Sequence, residues 1–146
     1  MNIVFSSRVP IECRAELEEL LFLNPRQHRV RDGILNSLER FGHPKVIDTP
    51  TGLVVKVGDL EAQTLFAFDR TRDGEAPVGV VVFIRTASEE MSIMHVAVHE
   101  DYALHGAEAG VGLGVTLVEK VKEIARRIVG IQRIVFFYRR HVVIRL

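Results

Sequence analysis

The chain holds one cysteine, no excess of either charge, and no apolar run approaching the roughly 18 residues that a membrane helix needs. Each shortage excludes something. Cys13 alone cannot close an internal disulfide or build a thiolate metal cluster, which fits a reducing cytoplasm, and it reads most simply as a small apolar residue on a helix. Nineteen Lys and Arg balance nineteen Asp and Glu, so the formal net charge is zero and the electrostatics make no case for a nucleic-acid partner. Met1 to Pro10 lacks the basic start and long apolar centre of a signal peptide. The expectation is a cytoplasmic protein with no membrane or nucleic-acid partner. What remains is 146 residues with 47% hydrophobic content, enough for one domain spanning 1–146 with a real core.

Taken in order, Asn2 to Ser6 has the β-branched content of a short strand, and Ser7 to Pro10 breaks it. Leu17, Leu20, Leu21 and Leu23 alternate with Glu12, Glu16, Glu18 and Glu19 at helical spacing until Asn24-Pro25. Val30, Ile34, Leu38 and Phe41 predict a second helix over Val30 to Phe41, closed by Gly42-His43-Pro44. Arg26, His28, Arg29 and Arg31 form a basic cluster that reads first as a solvated face and second as a contact for an anionic ligand. From Lys45 to Val98 the period becomes two. Val46-Ile47, Leu53 to Val57, Gln63 to Asp69, Val78 to Arg85 and Met91 to His99 predict strands joined by short turns, hence an antiparallel meander. Val78 to Arg85 is apolar on both faces, as for a covered central strand, and Gly79 within it marks a bulge or a close approach.

Val115, Val118, Val121, Ile124, Ala125 and Ile128 then recur at three- and four-residue intervals, predicting an amphipathic helix stopped by Gly130. Arg133 to Tyr138 is a strand which, a helix away from Met91 to His99, should lie parallel to it. Val142 to Leu146 continues or repeats a strand, an exposed edge through which a homodimer is expected. Between strand and helix stand Gly110, Gly112 and Gly114. Alternate glycines let backbone approach a ligand with N–H groups pointing inward, and the helix start adds more such groups, so the loop suits phosphate. It ends in no Gly-Lys-Ser/Thr and lacks the dinucleotide spacing. The plainer alternative is a turn that only permits tight helix packing.

The order strand, two helices, antiparallel meander, strand ending Val96-Ala97-Val98, glycine loop, amphipathic helix, strand resembles the GNAT N-acetyltransferases. That family carries roughly Gln or Arg-x-x-Gly-x-Gly or Ala between strand and helix. Here Ala109-Gly110-Val111-Gly112-Leu113-Gly114 falls on the motif, with Leu117 at its following apolar place and Ala109 where the family has Gln or Arg. The linker Glu100 to Glu108 is longer than the family's, and the chain ends where family members continue, as a degenerate or C-terminally truncated member would. The resemblance implies an α+β fold, a mixed, mostly antiparallel twisted sheet between helices. It implies acetyl-CoA as cosubstrate and a small-molecule or peptide amine as acceptor. The pyrophosphate would sit on the loop from Ala109 to Val115, and the pantetheine arm would lie along the backbone of Val96, Ala97 and Val98. A GNAT-like fold without catalysis, serving as a CoA-binding or protein-binding module, is the alternative.

Acetyl transfer to an amine calls for a proton acceptor and a donor for the departing thiol. The family's positions for a base fall on Ser92 and Met94, so Glu90, of the same strand parity, is the candidate base, while His95 has the other parity. Tyr138, ending its strand, is the candidate acid. His95, His99, Glu100, Asp101, His105 and Glu108 suggest a metal, but in a strand His95 and His99 stand about 13 Å apart. No metal is expected, and His99 to His105 reads as an exposed polar loop. Phe136-Phe137 with Arg139-Arg140-His141 reads as core plus strand-edge charge, not a nucleic-acid patch.

Overall fold

The fold is taken from a computed structural model, which describes residues 2–22, 44–57, 62–72, 74–102, 112–136 and 139–146. The predicted helix over Val30 to Phe41 and the basic cluster before it lie outside these residues. The strands are β1 (Ile3–Ser6), β2 (Pro44–Thr49), β3 (Gly52–Val57), β4 (Gln63–Asp69), β5 (Gly79–Ala87), β6 (Glu90–Val98), β7 (Arg133–Phe136) and β8 (Arg139–Arg145). The helices are α1 (Arg14–Phe22), entered through a 3-10 turn at Ile11–Cys13, and α2 (Leu113–Arg126). Six strands form one sheet in the order β1-β4-β5-β6-β7-β8, antiparallel throughout except for the parallel pair β6 and β7.

The expected meander holds for β4, β5 and β6. β2 and β3 depart from it, forming a separate two-stranded sheet attached through an isolated bridge between Val9 and Leu53. The place beside β4 goes instead to β1, whose Ile3 to Ser6 pair with Asp69 to Phe66. Strand alternation cannot reveal this, because a hairpin and a sheet edge show the same period.

Both faces of the central strands are buried, as the apolar run in β5 requires. Val80, Val82, Phe66 and Ala97 pack with Leu17, Leu20 and Leu21 of α1 on one face. Val81, Phe83, Met91 and Ile93 pack with Leu113, Leu117, Val121 and Ala125 of α2 on the other. The architecture is therefore a three-layer α+β fold with a mostly antiparallel sheet in the middle. Each fully buried leucine on α2 contributes roughly 1.5–3 kcal/mol by leaving water. No helix among the described residues is long and apolar enough to cross a membrane.

Gly79 resolves as the close approach. A Cβ there would lie 3.0 Å from Leu117 Cδ1 and 3.2 Å from Leu113 Cδ2, so the bare backbone is what lets α2 settle on the sheet. The bulges lie elsewhere, between Val82 and Phe83 and between Arg85 and Ala87. In the first, Val82 pairs with His95 and Phe83 with Ile93, leaving Met94 as the extra residue of β6. Gly79→Val should therefore cost about 1–3 kcal/mol of stability through overpacking against α2. Urea unfolding checks this, and an unchanged midpoint would show that the two leucines yield freely.

Candidate functional site

α2 begins two residues earlier than its apolar spacing predicts, inside the glycine stretch. Gly112 is the N-cap, at φ +62° and ψ +44°, a left-handed conformation that glycine adopts without strain. Its carbonyl accepts from the Thr116 N–H at 3.0 Å and the Thr116 hydroxyl at 3.2 Å, closing the first turn. The amides of Leu113, Gly114 and Val115 have no acceptor within a helix, and no side chain caps them. No acidic residue stands in that turn, so nothing there competes with an incoming anion. Leu113 is fully buried whereas Val115 is 69% exposed, so the turn is pinned on one side and open on the other. A Cβ on Gly112 would meet nothing within 4 Å, and one on Gly114 would lie 3.8 Å from Val98 Cγ2. The helix start thus stands over the end of β6, with room at its cap.

The β6–β7 ladder runs from Glu90 paired with Arg133 to Ile93 paired with Phe136. β6 continues through Val98, and there Val96, Ala97 and Val98 pair with Val81, Val80 and Gly79 of β5. Of the expected site residues, the structure sets Gly114, in the first turn of α2, beside Val98 at the end of β6. Ala109, Gly110, Val111 and Tyr138 lie outside the described residues.

Glu90 stands at the opposite end of β6, eight residues or about 26 Å from Val98. Its carboxylate accepts from Thr86 Oγ1 at 2.7 Å and from Arg133 Nε at 3.3 Å. Thr86, the extra residue of the second bulge, also shares a 2.7 Å hydrogen bond with the buried Ser92 hydroxyl. These contacts tie β5, β6 and β7 together where the ladder is complete, and they do not place Glu90 with the helix start.

His95 is the residue that alternation misplaces. The extra residue at Met94 reverses the parity, so that His95 opposite Val82 and Ser92 opposite Ile84 lie on the same face, the one α1 covers. The ring hydrogen-bonds the backbone of Leu21, and Nε2 is sealed from solvent with no hydrogen-bond partner among the described residues. Burial pushes the imidazole down to about 4, only partly offset by the Leu21 carbonyl, so the ring is neutral at pH 7. A bulge inside a strand has no reliable sequence signal, which is why spacing missed this placement.

The segment after β6 is also more structured than a polar loop. Tyr102 is 4% exposed, shares the α2-side core with Leu113, and donates to Asp69 Oδ2 at 2.5 Å. Asp69 Oδ1 accepts from the Thr71 hydroxyl and amide at 2.6 and 3.0 Å and from the Asn2 amide at 3.3 Å. Those donors, with Thr71 foremost and the Tyr102 phenol next, hold the carboxyl far below the usual carboxylate range. Arg72 lies 5.8 Å from the Tyr102 ring centroid and pairs with Asp101 at 3.2 Å. The departure of the chain from β6 toward the glycines is therefore anchored. No group of three metal-ligating side chains occurs among the described residues.

No family model and no curated protein matches the sequence. Among solved structures, the chain is similar to an IAA acetyltransferase from Bacillus cereus ATCC 14579, with 23% identity over 92% of this chain and 65% of that one, at a TM-score of 0.46. It is also similar to a putative streptothricin acetyltransferase from Bacillus anthracis str. Ames in complex with acetyl coenzyme A, with 12% identity over 64% and 58% of the two chains, at a TM-score of 0.41. The chain thus spans less than two thirds of the length of either protein. Likeness of this degree assigns neither activity nor substrate.

The depressed His95 has a consequence for stability. Between its unfolded value near 6.5 and its folded value of about 4, the unfolded chain binds a proton that the folded chain refuses, so stability falls as pH falls through that window. The loss is on the order of 3 kcal/mol and complete below about pH 4. Asp69, depressed instead, contributes stability present above the normal carboxylate range and lost only at still lower pH. His95→Asn should flatten the melting temperature between pH 6.5 and 4 and leave the more acidic limb in place. An unchanged slope in that window would show that His95 does not titrate with unfolding.

Proposed function

We propose that this chain is a small GNAT-type acyltransferase that takes an acetyl group from acetyl-CoA and transfers it to an amine. The observation that carries this reading is the seating of the α2 N-terminus beside Val98, at the end of β6. In this reading the amides from Val111 to Val115 hold the pyrophosphate, where the helix dipole and the uncapped N–H groups favour negative charge. The pantetheine arm runs along the backbone of Val96, Ala97 and Val98, which directs the thioester toward Ile93, whose ladder partner is Phe136. Tyr138, two positions beyond β7, is the proposed acid that returns a proton to the thiol. Glu90 stands three residues or about 10 Å from Ile93, and the engagement of its carboxylate by Arg133 and Thr86 speaks against it as acceptor of the amine proton.

That engagement is also the one observation that favours a second reading, a GNAT-like module that binds CoA or another protein without turnover. Thiol release from acetyl-CoA with a mixed amine panel separates the two, and no release above the enzyme-free rate would select the module. A cytoplasmic location fits both readings, with Cys13 buried and its thiol pushed up chiefly by that burial.

At 100 times its dissociation constant, acetyl-CoA should add roughly 2.7 kcal/mol of apparent stability in a thermal-shift titration. Gly112→Asp should abolish that shift by setting a carboxylate at the helix start, whereas Gly112→Asn, equally tolerant of the left-handed backbone, should retain it. No shift in the parent protein would overturn CoA binding. Equal shifts in both variants would show that the glycine is structural.

The homodimer is proposed to form through β8, which leaves Val143 and Leu146 41% and 37% exposed at the edge of the sheet. β8 carries Arg139, Arg140, His141 and Arg145 with no acid, so self-pairing brings like charges together. Added salt should therefore favour the dimer by screening them. A monomer at all concentrations and salt levels in sedimentation would remove this assembly.

A further inference from the structure

A cavity of about 520 Å³ opens at the β1 edge of the main sheet, where that edge strand gives out. β1 ends at Ser6, opposite Phe66, and the chain then turns so that Val9 bridges Leu53 of the β2–β3 hairpin. Gln63, Thr64 and Leu65 pair with β5 on one side and have no strand beside them on the other among the described residues. The hairpin walls this notch. Its Thr49, Val54 and Lys56 share one face, opposite the face that sends Val46, Leu53 and Val55 into the α1-side core. The floor is apolar, made by Leu65, Phe83 and Ile124 from the α2-side core.

The charged and buried polar groups of the notch offer donors. Arg8 Nε bonds Thr51 Oγ1 at 3.1 Å and Nη1 bonds the Ser7 carbonyl at 3.1 Å, which holds the guanidinium in place and leaves Nη2 without a partner among the described residues. Lys56 is half-buried, and its ammonium has no partner among them either. Thr64 is 8% exposed. Its hydroxyl accepts from the Val55 amide at 3.5 Å, and its own proton has no acceptor among the described residues. No described carboxylate lines the cavity, and Asp48, on the other face of the hairpin, is taken by Arg14. Lys45 stands directly across the ladder from Lys56 on the same face, and like charges so opposed cost free energy that an anion between them offsets.

We propose that this notch binds an organic acid, a carboxylate carried on an alkyl or arylalkyl chain. The carboxylate takes one oxygen to Arg8 Nη2 and the other to the Lys56 ammonium, charge-assisted bonds that two separate donors suit. The chain covers Leu65, Phe83 and Ile124. An amine on the same skeleton is repelled by the two cations, and inorganic phosphate leaves the apolar floor uncovered. The volume falls in the range of roughly 300–1,000 Å³ usual for small-molecule sites. Ile124 stands eleven residues or about 16 Å along α2 from Leu113, so the notch lies apart from the anion-binding turn and does not depend on acetyl-CoA.

The test titrates the whole chain with octanoate, 1-octanol, octylamine and inorganic phosphate, by calorimetry and by methyl NMR. Octanoate should bind at least about tenfold more tightly than octanol, and raised salt should weaken octanoate alone. Octylamine should not bind the notch, and inorganic phosphate should not displace octanoate. Lys56→Gln and Arg8→Gln, both outside the core, should each weaken octanoate about tenfold and leave octanol unchanged. In the parent protein the methyl resonances of Val54, Leu65 and Ile124 should move with octanoate while those of Val98 stay, which locates the site without any variant. Equal affinity for octanoate and octanol, displacement by phosphate, unmoved methyls at the three positions, or full octanoate affinity in both variants would overturn the site. None of these readouts involves acetyl-CoA, so their failure leaves the acyltransferase reading standing.

Discussion

The arrangement depends on one contact, the packing of Leu113 and Leu117 over the bare backbone of Gly79. Without a Cβ at Gly79 the helix approaches the sheet closely, and Leu113, the first helical residue, is carried into the core. Burial of that residue fixes where α2 begins. The turn that starts the helix, with its unpaired amides, is thereby held over the end of β6. A larger residue at Gly79 would lift the anion-binding end of the helix away from the strand that it serves.

The second constraint lies within β6 itself. Its first four residues pair with β7 on one side and β5 on the other, and the ion pair of Glu90 with Arg133 reinforces that closed end. Among the described residues the ladder to β7 reaches Ile93, and the bulge at Met94 directly after it turns His95 toward the face that α1 covers. The regular, doubly paired part of β6 supplies rigidity. The Asp69–Tyr102 hydrogen bond plays a similar anchoring role beyond the strand, holding the chain to the core as it leaves β6.

Much of this was legible from residue order. The strands from Gln63 onward, the amphipathic helix after the glycines and the parallel return of β7 follow from period and connection length, which are local quantities. The site was legible in part. The glycine-opened start of α2 stands beside Val98, because a strand, a glycine loop and a helix in succession leave few ways to connect. Parity points to Glu90, and parity says nothing of what engages its carboxylate. The same rule puts His95 on the other face, and one extra residue in the strand reverses it.

The sequence by itself determined the class of fold, the neutral charge balance and the presence of a glycine-opened helix after a strand, since each depends on residue types and their spacing. Tertiary structure alone decided that β2 and β3 stand apart, that Gly79 is a seat for α2, and which histidine is enclosed. Those outcomes turn on which surfaces meet across the fold, and on a single unpaired residue in a ladder, neither of which leaves a period in the chain.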